Sequence, residues 1–121
     1  MHWRKLKVWE AAHQMVLEIY RTTAGFLSSE KFGIVDQLKR AASSIPANIV
    51  EGQSRNTTKE YVQFLYIARG SLEEVRYFLL LSRDLQFLSS KKYDELENKY
   101  KNISMMLNSL IKSMKLLLES N

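Results

Sequence analysis

The sequence predicts an all-α chain folded as an up-and-down antiparallel four-helix bundle. Three observations predict it. Apolar residues recur at three- and four-residue steps in four separate segments, short polar stretches join those segments, and only four glycines and one proline interrupt 121 residues. No alternating strand pattern competes with this reading. A chain of this length supports one core, so residues 1–121 are expected to form a single domain.

The first helix is marked by Trp9, Ala12, Val16, Ile19 or Tyr20, and Phe26, and is closed by Gly25 and the Ser28-Ser29 pair. The second carries Ile34, Leu38, Ala41, Ile45 and Ile49, with an end expected at Gly52, because glycine commonly follows a helix terminus. It also holds the only proline, Pro46, within SSIPANIVEG. A proline in a helix interior deletes a backbone hydrogen bond and costs about 3 kcal/mol. A kink at Pro46 is therefore expected, with Ser43, Ser44 and Asn48 as candidate partners around the freed carbonyl of Ala42.

The third helix opens on Thr57-Thr58-Lys59-Glu60, a capping box in which Thr57 and Glu60 answer each other's backbone donors. Its core stripe reads Tyr61, Phe64, Leu65, Ala68, Leu72, Val75 and Leu79, ending near Asp84. The fourth follows Ser89-Ser90 and keeps a strict 4-3 spacing through Leu96, Tyr100, Ile103, Leu107, Leu110, Met114 and Leu117, the rhythm of helices that cross at shallow angles. Short joints make sequential helices antiparallel neighbours.

The third helix has more apolar residues than one stripe needs. Opposite its core face lie Val62, Tyr66, Tyr77 and Leu80. A helix that is apolar nearly all round is buried all round. In so small a chain the surplus points to another copy, so these four residues are the candidate oligomer interface. The fourth helix, with Lys101, Asn108, Lys112 and Glu119 outward, is expected to be more exposed.

Composition narrows the chemistry. There is no cysteine, which removes disulfides, thiolate metal sites and a cysteine nucleophile. The N-terminal MHWRKLKVWEAAH lacks the apolar core of a secretory signal, and an apolar run such as Tyr77 to Leu81, which none exceeds in length, is far short of the ~20 residues that cross a bilayer. A cytoplasmic setting without a membrane role is the expectation, and the sequons at Asn56 and Asn102 read as chance.

A net charge of +5 and a pI near 9.5 favour anionic partners, nucleic acid first. The basic residues are evenly spread: residues 1–60 hold nine against six acids, and residues 61–121 hold nine against seven. Candidate contacts are Arg4, Lys5 and Lys7 at the N-terminus, Arg55 and Lys59 at the second joint, and Lys112 and Lys115 near the C-terminus. Arg69, Arg76 and Arg83 add a stripe at seven-residue intervals. That stripe has two readings: a ladder for phosphates, or intramolecular pairing with Glu73 and bridges between subunits.

In the second helix Gln37, Arg40, Ser44, Asn48 and Glu51 form a polar column beside the core stripe. Buried polar groups are normally hydrogen-bonded, so the column either fixes packing or contacts a ligand. The run LKRAASSIPANIVEG over residues 38–52, followed by FLYIARGSLEE over residues 64–74, resembles the bacterial four-helix bundle family named for the 23S rRNA intervening sequence protein. That family is similar in fold to the accessory variability protein of diversity-generating retroelements. The resemblance spans nearly the whole chain and implies a homopentameric ring, a basic surface, and association with RNA or another nucleic acid. Matched residue by residue, its motif falls on Ser44, Pro46, Asn48, Glu51, Gly52, Gly70, Ser71 and Glu74. Together with Arg40 these polar positions and Gly70 make the expected network. Gly70 costs about 1 kcal/mol in mid-helix, which points to a close backbone approach there.

Glu10 and His13 form an E-x-x-H pair, but di-iron bundles need a second such pair and two more inward glutamates, and His2 has no glutamate three residues before it. No metal or cofactor is expected. There is no glycine-rich phosphate loop, no histidine near a plausible nucleophile and no pair of carboxylates set in an apolar pocket, since the adjacent Glu73 and Glu74 point apart by about 100° on a helix, so no enzyme is expected either. The expected function is an oligomeric bundle that binds RNA, DNA or a nucleic-acid-bound protein through repeated basic patches. The alternative is a structural or protein-interaction scaffold with no nucleic-acid role.

Overall fold

A computed structural model describes residues 2–30 and 32–120. Four helices carry the fold: α1 (Lys7–Thr23), α2 (Ile34–Gln53), α3 (Thr58–Asp84) and α4 (Ser90–Glu119). Short 3₁₀ turns, Trp3–Lys5 and Ser28–Glu30, precede α1 and α2, and no strand occurs among the described residues. Each helix packs against its two neighbours around the bundle, with α2 against α3 the most extensive seam and α1 against α4 the least. Side-chain pairs fix the directions. Ser44 meets Ser71 and Gln53 meets Tyr61, so α2 and α3 run antiparallel. Arg69 meets Asn108 and Arg76 meets Glu97, so α3 and α4 do too. Lys92 at the start of α4 reaches Glu18 late in α1 and closes the circuit.

The core holds the expected residues of α2 and nearly all of the expected stripe of α3, where Phe64 is only partly buried. Each fully buried leucine or isoleucine among them, such as Leu38, Ile45 and Leu72, contributes about 1.5 to 3 kcal/mol. In α1 the buried line is Val8, Ala12, Met15, Ile19 and Thr23; Trp9 and Val16 sit on its shoulder and Tyr20 faces out. In α4 the buried line runs Leu96, Tyr100, Ile103, Leu107 and then Ile111, where Leu110 was expected. A straight helix of 3.6 residues per turn drifts about 20° per heptad, and that drift carries the inward position from Leu110 to Ile111. Leu117 is half exposed, one of three consecutive leucines at the open end of α4.

Local chemistry explains the boundaries. The Thr57 hydroxyl accepts from the Glu60 amide at 3.1 Å and donates to the Glu60 carboxylate at 3.2 Å. The carboxylate thus engages the hydroxyl rather than the Thr57 amide that a reciprocal capping box would use. Ser89 caps α4 by accepting from the Lys92 amide at 3.1 Å. α3 ends without a glycine: Phe87 N–H donates to Ser82 C=O and Gln86 N–H to Arg83 C=O, both at 2.9 Å, with Gln86 at φ 66°. These are the paired bonds of a Schellman terminus, in which glycine ordinarily takes the left-handed position.

Gly52 does not lie past the end of α2, as the sequence suggested. It is buried inside the helix, and a Cβ there would stand 2.8 Å from Tyr61 Cδ1 and 2.9 Å from Phe64 Cβ. Its small size lets α3 approach. Gly70 is the opposite case. Nothing lies within 4 Å of a Cβ built there, so the close approach expected at Gly70 does not occur within this chain.

Candidate nucleic-acid interface

Antiparallel topology brings the start of α1, the end of α2, the start of α3 and the end of α4 to one end of the bundle. The segments that form this half, residues 2–14, 45–71 and 105–120, carry eight basic against four acidic side chains. The other described residues carry nine against nine. A charge that is even along the sequence is therefore uneven in space. Eight of the ten basic residues singled out from the sequence share this half: Arg4, Lys5, Lys7, Arg55, Lys59, Arg69, Lys112 and Lys115.

Three of them share a groove. Where α3 faces α4, a hollow of about 370 Å³ is lined by Arg69, Asn108, Ile111, Lys112, Lys115, Leu116 and Glu119. Arg69 Nη1 donates to Asn108 Oδ1 at 3.2 Å, and its guanidinium lies 4.8 Å from the Tyr66 ring centroid, so the fork is held at the groove wall. Lys112 and Lys115 are one turn apart on α4, exposed and without an ion pair among the described residues. Arginine supplies a planar fork and lysine a mobile point charge, a combination suited to phosphate oxygens. Across the same end, Arg55 pairs with Glu51 at 2.6 Å and lies 4.7 Å over Phe64, whereas Lys5, Lys7 and Lys59 are exposed and unpaired among the described residues.

Arg76 and Arg83 lie in the other half and are occupied. Arg76 binds Glu97 of α4 at 2.6 Å and Glu73 of its own helix at 2.9 Å, with its side chain only 27% exposed and that of Glu97 12%. Both carboxylates stabilise the guanidinium, the hydrogen bond it donates to Glu97 most, and raise its pKa. Arg83 pairs with Asp84 at 3.0 Å and lies over Tyr93 of α4 at 4.7 Å. The seven-residue spacing thus places all three arginines along the α3–α4 seam, and at Arg76 the pairing reading holds.

The polar column of α2 divides. Ser44, Asn48 and Ser71 come together: the serine hydroxyls are 2.8 Å apart, and Asn48 Nδ2 donates to the Ser44 carbonyl at 2.8 Å and to its hydroxyl at 2.9 Å. Arg40 turns away to Asp36 at 3.0 Å, its side chain 76% exposed, and Glu51 to Arg55. Glu74 is exposed and makes no hydrogen bond or ion pair among the described residues. The Ser43 hydroxyl donates to Lys39 C=O at 2.8 Å. None of these groups meets the Ala42 carbonyl, and α2 continues through Pro46 as one helix.

Of the expected interface residues, Val62 is 3% exposed and buried within this chain, which removes it from any outer surface. It follows Tyr61 in the first turns of α3, where both side chains are buried. Tyr66 and Leu80 are half-buried; Tyr77 is 57% exposed, and Ile67, which the sequence reading passed over, is exposed with it.

Sequence reasoning also missed an aromatic group at the basic end. His2, Trp3, Trp9 and His13 follow one another with ring centroids 4.9, 4.7 and 5.1 Å apart, and Trp9 and His13 are stacked at 5°. The signal was present in HWRKLKVW, where rings alternate with cations. At the other end the Glu18–Lys92 pair was missed, because nothing in the sequence sets residue 18 beside residue 92. Lys92 donates to Glu18 at 2.7 Å, and with Arg21 it lowers the Glu18 pKa to about 2. No group of three or more His, Cys, Asp or Glu capable of holding a metal occurs among the described residues, and no helix there is long and apolar enough to cross a membrane.

Residues 4–109 match the family described as 23S rRNA-intervening sequence protein. Among solved structures, a protein with unknown function from the S23 ribosomal protein family of Bacteroides thetaiotaomicron VPI-5482 superposes with a TM-score of 0.78 at 24% identity, over 87% of this chain and 98% of that one. That likeness establishes the shared fold. No curated protein matches the chain.

Proposed function

The chain belongs to the 23S rRNA-intervening sequence protein family, and from that premise we propose that it is a non-enzymatic, self-associating helical bundle that binds RNA, alone or within a ribonucleoprotein, through its basic end. The observation that carries this reading is the gathering of eight of the ten candidate cations into one half of the bundle, three of them around a single groove. The family takes its name from an rRNA intervening sequence, which makes RNA the first polyanion to test. Duplex and single-stranded nucleic acids hold phosphates at regular spacing, and unpaired lysines release bound counterions when they meet them.

Self-association is part of the same reading. Gly70 has open space where a side chain would stand, and Ile67 and Tyr77 are exposed on the same helix. A second copy laid against this face would meet backbone at Gly70 and apolar surface on either side. The ring of five implied by the family resemblance would repeat each basic end five times and turn weak contacts into avidity. The absence of cysteine suits a reducing, cytoplasmic compartment.

The test is a salt titration of a fluorescent RNA by anisotropy. Affinity should fall steeply with salt, with a log–log slope of about −0.7 to −0.9 per phosphate contacted. The double variant Lys112→Glu, Lys115→Glu should weaken binding at least about tenfold and flatten the slope by roughly 1 to 2. No binding at low salt would overturn the reading and leave a scaffold without a nucleic-acid role.

A further inference from the structure

We propose that the aromatic run of His2, Trp3, Trp9 and His13 is a stacking site for unpaired bases, so that the ligand of the basic end is a single-stranded nucleic acid or a single-stranded segment of a larger one. The inference rests on the nucleic-acid reading above and specifies the form of its ligand.

The rings are placed by local structure. His2 caps the 3₁₀ turn by accepting from the Arg4 amide at its Nδ1, 3.3 Å away, and this turn lays Trp3 against Trp9 at 4.7 Å. Trp9 and His13 are four residues apart on α1 and therefore stack along one face, at 5.1 Å and 5°. Both tryptophans are only partly buried, and neither indole N–H has a hydrogen-bond partner among the described residues. Trp9 packs on the core and carries His13 on its face, whereas Trp3 does not pack on the core; a large ring left partly in water, with an unspent donor at its edge, is suited to a flat ligand that presents both a π face and polar edges.

Charge selects among such ligands. Arg4 lies over Trp3 at 5.0 Å, and Lys5 and Lys7 are exposed and unpaired among the described residues on the same stretch. Glu10 is the one acid in this segment. A ring interleaved with cations offers stacking to a base and charge to the phosphate beside it, the combination by which single strands are held without sequence preference. In a duplex the base faces are already stacked and the array has nothing to engage.

Trp3 and Trp9 are the only two tryptophans in the chain, so intrinsic tryptophan fluorescence reports on this array alone. The full chain is titrated with an unstructured oligoribonucleotide and with the blunt duplex it forms with its complement. The single strand should quench the fluorescence over the same concentration range in which anisotropy shows binding, and the duplex should not. Trp3→Ala should lower single-strand affinity about tenfold while leaving duplex affinity unchanged, and Trp3→Phe should restore most of the loss. If Trp3→Ala perturbs folding by circular dichroism, the quenching contrast in the unaltered protein decides. Equal affinity for both ligands without quenching would overturn the stacking proposal and leave the basic end standing. Failure of both ligands to bind would remove the basic-end reading and the stacking site with it.

Discussion

The hydroxyl oxygens of Ser44 and Ser71 lie 2.8 Å apart across the seam between α2 and α3, and Asn48 closes the group by donating to Ser44. This half-buried cluster is what remains of a longer polar column, and its Ser71 directly follows Gly70. Ser71→Ala should cost about 1 kcal/mol of stability, because Ser44 loses a partner. Asn48→Leu should cost more, about 2 kcal/mol, since it removes two bonds and places a branched side chain where an amide fitted. Urea unfolding of the single and double variants measures the coupling. Strict additivity would show that the three groups do not act as a unit.

Arg76 and Arg40 form ion pairs of similar length with opposite expectations. Arg76→Ala leaves Glu97 half-buried beside α3 with one oxygen already lacking a partner, and should cost about 2 to 3 kcal/mol. Arg40→Ala breaks an exposed pair and should change stability by under about 0.5 kcal/mol. The two unfolding midpoints compared in one buffer settle the contrast.

The glycines separate packing from propensity. Gly52→Ala drives a methyl into Tyr61 and Phe64 and should destabilise by about 1 to 3 kcal/mol. Gly70→Ala meets nothing in this chain and should stabilise an isolated copy by about 1 kcal/mol. If copies pack on that face, the same methyl should shift light scattering toward smaller species. A Gly70→Ala chain with unchanged assembly would exclude close backbone contact there.

Gln86 holds a left-handed conformation at the end of α3. Gln86→Gly should raise stability by about 0.5 to 1 kcal/mol, the relief of strain being partly offset by a more flexible unfolded chain. Thermal unfolding reads the gain directly.

Glu18 titrates near pH 2 when folded and near 4.5 as an ordinary carboxyl, chiefly because Lys92 donates to it. The stability it contributes is complete above about pH 4.5 and is lost as pH falls toward 2, through protonation of the folded-state carboxylate. Lys92→Met should therefore lower stability at neutral pH and flatten its decline between pH 4.5 and 2. An identical acid profile in both proteins would place the pair outside the acid transition.

Periodicity determined the helices. A 3.6-residue repeat of apolar side chains is a local property, so the four segments, the Thr57 cap, the start of α4 at Ser89-Ser90 and the core of α2 and α3 could all be read from the chain. The finer rotations could not. Val16 against Met15, and Leu110 against Ile111, differ by a single 100° step that only the neighbouring helices decide. The same holds for charge: along the sequence the two halves are equally basic, and antiparallel packing is what collects Lys5, Lys59 and Lys112 at one end while Glu97 takes up Arg76. Motif spacing placed Ser44, Asn48 and Ser71 near a shared seam, but Arg40 found its partner one turn away in Asp36 and Glu51 found Arg55 just past the end of α2, where pairing orders fewer side chains than reaching across. Distances between residues far apart in sequence arise from packing, and those distances decide which cations are free for a partner and which already have one.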